Sequence, residues 1–219
     1  MKPTLYIVLA VILFSTACKE KKKYHDSKKD EITEAPTDAL ADILEFQKEL
    51  NEEYKDPETS PLPDRYRKDF ESLDFFDPDT TYVVQARLVR TPESLPFAMP
   101  TTTDRTSKNV VYGIAHFTLF GKKRQLEVYQ DQELMQQEKY RDYLFLPFTD
   151  DTNDKETYTG GRYIDLRIPE GDVIRIDFNK AYNPYCAYNK KYSCPIVPSI
   201  NAIDTEIRAG VKAFKPKGK

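Results

Sequence analysis

Apolar residues recur at helical spacing just past Thr37: Leu40, Ile43, Leu44, Phe46, Leu50 and Tyr54 form one stripe, while Asp42, Glu45, Glu49, Glu52 and Glu53 fill the other face. With Pro36 ahead of it and Thr37 or Asp38 as N-cap, the pattern predicts an amphipathic helix whose stripe docks on a core. Pro61-Leu62-Pro63 punctuates the chain, followed by a short helix over Asp64 to Phe70 and an apolar knot at Leu73, Phe75 and Phe76. Beyond Pro78 the period shortens to two. Tyr82, Val84, Ala86 and Leu88 alternate with Gln85 and Arg87. Val111 through Phe120 and then Leu126 and Val128 flank a Gly121-Lys122-Lys123 turn, which reads as an antiparallel ribbon. Ile164, Leu166 and Ile168, then Ile174, Ile176 and Phe178, suggest a second ribbon closed through Pro169-Glu170-Gly171-Asp172. The expected fold is mainly β: an antiparallel barrel or roll with one N-terminal amphipathic helix packed against it. Strands do not alternate with long helices, which disfavours a Rossmann-type sheet.

The start of the chain has a different pattern. Met1 and Lys2 precede ten apolar residues from Leu5 to Phe14, then Ser15, Thr16, Ala17 and Cys18. A positive start, a run too short to span a bilayer and small residues before a cleavage point describe a secretory signal peptide. Ending on Ala17-Cys18, it resembles the lipobox of bacterial lipoproteins, in which the Cys is diacylated and becomes the mature N-terminus; Ser15 departs from the aliphatic residue usual there. From Lys19 to Glu31 there are six Lys and four acids with almost nothing apolar. Such a segment cannot bury enough surface to offset chain entropy, and is expected to be a solvated tether. The organisation is therefore a signal peptide over 1–17, a lipidated tether over 18–36 anchored at Cys18, and one globular domain over 37–219. The location is the bacterial cell envelope, lipid-anchored, with the leaflet or cell surface and the oligomeric state left open.

Composition narrows the function classes. The 219 residues carry 33 Lys and Arg against 36 Asp and Glu, a net charge of −3. That balance argues against nucleic acid as a partner, since phosphate neutralisation needs a basic footprint. Seven Gly in the whole chain leave little room for phosphate-cradling loops. No Ser-His-acid order, Gly-rich nucleotide loop or Cys-x-x-Cys pair occurs, and no cofactor is expected.

Polar chemistry concentrates between Leu144 and Pro198. Asp150, Asp151, Asp154 and Glu156 invite a Ca²⁺ reading. An EF-hand register fails, with Lys155 at the Gly position and Gly161 at the bidentate Glu position, so a solvated acidic turn is preferred and no metal site is assigned. In the second ribbon, five loop residues would set Ile168 against Ile174, Leu166 against Ile176 and Asp165 against Asp177. Two facing carboxylates flanked by Arg167 and Arg175 could share a proton or hold a cation; diagonal ion pairing on a solvent face is the plainer alternative. Residues 179–194 read as a loop carrying Tyr182, Tyr185, Tyr188 and Tyr192, which cover a core or line a polar-aromatic pocket. Cys186 and Cys194, in an exported protein, most simply form a disulfide that stabilises by roughly 2–3 kcal/mol. A zinc pair and a nucleophilic thiol are the rivals, with His25 and His116 the sole imidazoles. His116 shares a strand face with Tyr112 and Thr118, as an ordinary half-buried histidine.

The tract Leu144-Phe145-Leu146-Pro147-Phe148, the spaced Asp150, Thr152, Glu156, Thr157, Tyr158, Gly160, Gly161, Arg162 and Tyr163, then Asp177-Phe178-Asn179, 181–188 and Cys194-Pro195, resembles the bacterial family catalogued as domain of unknown function 1684, a family of uncharacterised lipoproteins. The resemblance runs from about Phe46 to the last few residues and is most specific over Asp177 to Cys194. It implies a shared fold and site geometry and no particular reaction. Asp154 stands where the family usually has a small Gly, which implies a loop bent differently here.

These residues set two expectations. The first is a small polar ligand or envelope component bound in a cleft between the Asp150–Arg162 and Asp177–Cys194 loops, with contacts from Asp150, Thr152, Tyr158, Arg162, Asn179, Asn183 and Tyr185. The alternative is an enzyme in the same cleft, with Glu156 and Asp177 as a catalytic acid/base pair, or a flavin-type oxidoreductase by fold analogy alone. A structural or partner-binding lipoprotein would show an exposed apolar patch and no cleft.

Overall fold

The computed structural model describes residues 39–216. The signal segment, Cys18, the tether and the proposed N-cap residues Thr37 and Asp38 lie outside the described residues. Helix α1 (Ala39–Lys55) buries Ala39, Ile43, Leu50 and Tyr54, with Phe46 half-buried beside them. Leu40 and Leu44, assigned to the stripe from sequence, remain 47% and 50% exposed. At about 3.6 residues per turn they stand one position round from Ala39 and Ile43, and only the latter pair faces inward. Asp42 ties the helix to the sheet, accepting from Arg175 at 2.9 Å and Lys180 at 3.0 Å. The Lys180 ammonium, then Arg175, holds the Asp42 carboxyl below its ordinary value. Helix α2 (Asp64–Arg67) is a single turn.

Eight strands follow: β1 (Val83–Arg90), β2 (Phe97–Pro100), β3 (Thr106–Leu119), β4 (Lys122–Asp131), β5 (Tyr143–Asp150), β6 (Arg162–Arg167), β7 (Val173–Asp177) and β8 (Ala202–Ile203). Their order is β6-β5-β4-β3-β1-β7, with β2 added to β3 and β8 to β5. Every pairing is antiparallel except β8 on β5. The sheet curls into a half-barrel, as the mainly antiparallel β expectation requires.

Local chemistry corrects three details. The β3–β4 hairpin turns on Phe120 (φ 48°) and Gly121 (φ 73°), so that Leu119 pairs with Lys122 and Thr118 with Lys123. Two positive φ values match the twist of the flanking strands, which places both lysines in the strand rather than in the turn. A bulge between Val111 and Gly113 shifts the parity of β3. Tyr112 therefore joins Ala115, Phe117 and Leu119 in the core, while His116 and Thr118 are exposed.

The third correction changes the chemistry. β6 and β7 are not a hairpin. β6 pairs with β5, Phe145 opposite Asp165, and β7 pairs with β1, Val83 opposite Asp177. The two strands occupy opposite ends of the sheet order, so the Asp165–Asp177 pair inferred from alternation does not form. Apolar alternation fixed which residues of each strand point inward and left the partner undetermined.

The main core lies inside the curl, with Phe117, Phe148 and Phe178 at its centre. A second cluster joins α1 to Leu62, Leu73, Tyr188 and Val211. A third, Met99, Tyr129, Phe145 and Tyr163, covers the outer face of β4, β5 and β6. β5 is buried on both faces, which accounts for its nearly unbroken apolar sequence.

Candidate functional site

The polar residues singled out from sequence separate into two groups. Arg162 opens β6 and is fully buried beneath Phe148, whose ring centroid lies 5.3 Å from the guanidinium carbon. Its Nη2 donates to Asp150 Oδ2 at 2.9 Å and to the Ile207 carbonyl at 2.8 Å; its Nη1 donates to the Ala209 carbonyl and, at 3.5 Å, to that of Val211. Asp150 Oδ1 accepts from the Thr152 amide and hydroxyl and from the Ile207 amide. These residues form a clasp on the chain's own C-terminal segment, and Arg162 presents no donor to a ligand. Asn183 extends the clasp, donating to the Tyr188 hydroxyl at 3.2 Å and the Lys212 carbonyl at 2.8 Å. The Ala213 amide donates to the Glu156 carbonyl and the Val211 amide to that of Ala181. Residues 207–213 thus fill the space where the two loops were expected to leave a cleft.

Asp177 and Asn179 are structural in the same sense. Asp177 is 3% exposed and accepts from Arg175 at 3.2 Å and from the Asn179 amide and side chain. Asn179 clamps the Asp79 backbone, accepting from its amide and donating to its carbonyl, both at 2.9 Å. Glu156 pairs with Arg208 at 3.1 Å. The proposed acid/base partners are each committed to a different arginine, and neither lines the hollow beside β6 or the one between α2 and the C-terminal segment.

A hollow does exist on the outer side of β6. Its volume is about 350 Å³. Parity on β6 sends Ile164 and Leu166 into the core and Tyr163 and Asp165 outward to the hollow floor. α1 supplies one wall through Phe46, Leu50 and Glu53, which recur at i, i+4 and i+7. The loop after β7 supplies the other wall with Tyr182, Tyr185 and Tyr192. Tyr163 and Tyr182 meet edge to face with centroids 5.9 Å apart, and Tyr185 and Tyr192 do so at 5.3 Å.

Hydrogen bonds fix the polar atoms of this hollow. Asp165 Oδ1 accepts from the Tyr143 hydroxyl at 2.8 Å and the Tyr182 hydroxyl at 2.6 Å. Glu53 Oε1 accepts from the Tyr185 hydroxyl at 2.5 Å, and the Tyr163 hydroxyl donates to the Pro195 carbonyl. Burial pushes the Asp165 carboxyl above its ordinary value, against the pull of the two hydroxyls and Arg167.

Of the residues assigned to ligand contact from sequence, Tyr185 is the one that lines this hollow, and Cys194 reaches its rim. Tyr158 lies behind, its hydroxyl 3.9 Å from Cys186 Sγ. Tyr163 and Glu53 were missed, although the period-two and period-3.6 patterns place them on the faces they occupy. Cys186 and Cys194 are adjacent free thiols in this structure, the Cys186 amide donating to Cys194 Sγ at 3.2 Å, so the expected disulfide is not formed here. The Cys194 hydrogen bond lowers the Cys186 thiol below its ordinary value, and Cys194 is pushed up in turn.

A family model, Protein of unknown function (DUF1684), matches residues 68–212. The chain belongs to this family. The solution NMR structure of an uncharacterised protein of Haloarcula marismortui is similar to it, with a TM-score of 0.62 and 31% identity over 78% of this chain and 92% of that one. No curated protein matches. The DUF1684 match covers β6 and the tyrosine loop and leaves α1 outside, so the hollow combines family residues with a wall from the preceding helix. At the position where a family Gly was expected, Asp154 takes φ 65°. The loop keeps a left-handed bend suited to Gly, and Asp is among the few other residues that visit it readily.

Proposed function

We propose that this DUF1684 chain is a lipid-anchored protein of the bacterial cell envelope that binds a small polar ligand in the hollow between α1, β6 and the loop after β7. The observation that carries the reading is the preformed hollow of about 350 Å³, in which tyrosine rings and two carboxylates are held by mutual hydrogen bonds. That volume lies in the range of small-molecule sites, and a mostly apolar and aromatic lining with a few convergent polar atoms is their usual make-up. The signal-like start, Cys18 and the charged tether support the location. With Glu156 and Asp177 committed to arginines, acid/base catalysis lacks comparable support.

The mature domain, screened against small cationic, neutral and anionic polar compounds, should be stabilised by members of one class. A ligand at a hundredfold excess over its Kd adds about 2.7 kcal/mol, or a rise of roughly 5–10 °C in Tm for a domain of this size. Leu50→Trp, which fills the hollow from α1, should remove the rise. A screen in which no charge class shifts Tm would end the reading.

In an oxidising compartment the neighbouring thiols are proposed to close a Cys186–Cys194 disulfide by exchange with a disulfide oxidant, which accepts the two electrons while both thiol protons are released. Cys194 lines the hollow, so the bond would fix its rim. Thiol titration of protein purified from the envelope should find both cysteines blocked until reductant is added; two free thiols there would refute the bond.

A further inference from the structure

The lining of the hollow is one-sided in charge and in hydrogen-bonding character. It contains Glu53 and Asp165 and no Lys, Arg or His. The cations around it have partners of their own: Arg167 donates to Asp142 at 2.7 Å, Lys180 to Asp42 at 3.0 Å and Arg105 to the Ser193 carbonyl at 3.0 Å, while the Lys191 ammonium lies over the Tyr192 ring, 4.9 Å from its centroid. The hydroxyl protons of Tyr182 and Tyr185 are spent on the two carboxylates, and that of Tyr163 on a backbone carbonyl. What remains toward the cavity is mostly ring face and oxygen acceptor, with the Tyr192 hydroxyl still able to donate at the rim. Both tyrosine bonds to Asp165 end on Oδ1, which leaves Oδ2 for an occupant.

An anion would meet two like charges, and a neutral polyol would find little beyond the rim hydroxyl of Tyr192 to donate to its oxygens. A cation gains from both features, because the faces of aromatic rings carry negative potential and carboxylates form strong charge-assisted bonds with N–H groups. We propose that the hollow is a site for an organic ammonium ion, held between Asp165 and Glu53 and enclosed by the rings of Tyr163, Tyr182, Tyr185 and Tyr192. The proposal rests on the ligand-binding reading above and names the class of ligand. A cation bound there would also favour the charged form of Asp165, which its surroundings disfavour.

Isothermal titration of the mature domain with tetramethylammonium, choline and ethanolamine chlorides, with sodium chloride as the ionic-strength control, tests it. Dimethylbutanol, the neutral carbon isostere of choline, is the comparison. The cations should bind and the isostere should not; Asp165→Asn should weaken cation binding on the order of tenfold or more, with a smaller loss for Glu53→Gln. Asp165→Asn keeps an acceptor for both tyrosine hydroxyls. A carboxyl whose native pKa is raised loses stability as pH climbs through that value, so the variant should be at least as stable as the parent at neutral pH. Tyr192→Ala, at the rim, is the second variant and should weaken choline without unfolding the domain. Vesicles of phosphatidylethanolamine, against phosphatidylglycerol, distinguish a lipid headgroup from a dissolved ammonium, and binding of either satisfies the proposal. Equal binding of choline and its isostere would overturn the cation assignment and leave the ligand site standing. Cation binding that none of the three variants weakens would also overturn it. Silence toward every compound, charged or neutral, would remove both.

Discussion

Arg162→Ala should destabilise the domain by about 3–5 kcal/mol, the usual cost of leaving one member of a buried ion pair behind. For a chain of this size that is a fall in Tm on the order of 10 °C. The loss has two parts. Asp150, with 0% side-chain exposure, loses its guanidinium partner. The carbonyls of Ile207, Ala209 and Val211 lose their donor at the same stroke, and each buried acceptor left unpaired adds its own penalty. For that reason Arg162→Lys should not rescue, because one ammonium cannot reach a carboxylate and several carbonyls through a planar fork. An apolar pair, Asp150→Leu with Arg162→Met, should recover only the electrostatic part. Urea unfolding monitored by tyrosine fluorescence checks all three, and an Arg162→Ala domain as stable as the parent would show that the clasp contributes nothing to folding.

Gly210→Ala should cost roughly 2–4 kcal/mol, a large effect for one methyl group. Gly210 has φ 78°, and a Cβ built there would lie 2.5 Å from the Ala181 carbonyl oxygen and 2.9 Å from that of Phe178. The left-handed backbone alone accounts for about 1–2 kcal/mol. The rest comes from pushing the segment off its seat, since the obstacles are backbone atoms that cannot swing aside. Such a shift also carries Ala209 and Val211 away from Arg162. Gly210→Ala and Arg162→Ala together should therefore cost less than their sum, and a denaturation cycle giving strict additivity would show that the two act independently.

Identity was legible from residue pattern for α1, β1, β3, β4, β6 and β7, whereas β2, β5 and β8 were not read as strands, and partnership was legible only across a tight turn. β1 and the β3–β4 ribbon followed from alternation and from Gly121, because a tight turn dictates which strands pair. For β6 and β7 the connection was long enough to allow another outcome, and each strand found a different neighbour. The candidate site shows the same limit. Arg162, Asp150 and Asn183 look like ligand contacts in sequence because buried polar residues that tie chain segments together are of the same types as residues that bind small molecules. What separates the two is whether carbonyl acceptors from elsewhere in the chain, here Ile207 to Lys212, arrive to satisfy them. The tyrosine loop does both of the things its sequence allowed, Tyr188 covering a core and Tyr182, Tyr185 and Tyr192 lining the hollow. Its carboxylates, Glu53 on a helix and Asp165 on a strand, are brought together only by tertiary packing.

The clasp also bears on how the molecule is made. Synthesis proceeds from N- to C-terminus, and every strand of the sheet, β8 included, has been polymerised before Ile207 appears. Until then Arg162 has no carbonyls to grip, and the interior between the two loops is open to water. The half-barrel is thus locked by a segment that follows all of its strands, so the clasp can close only after the whole sheet has been synthesised.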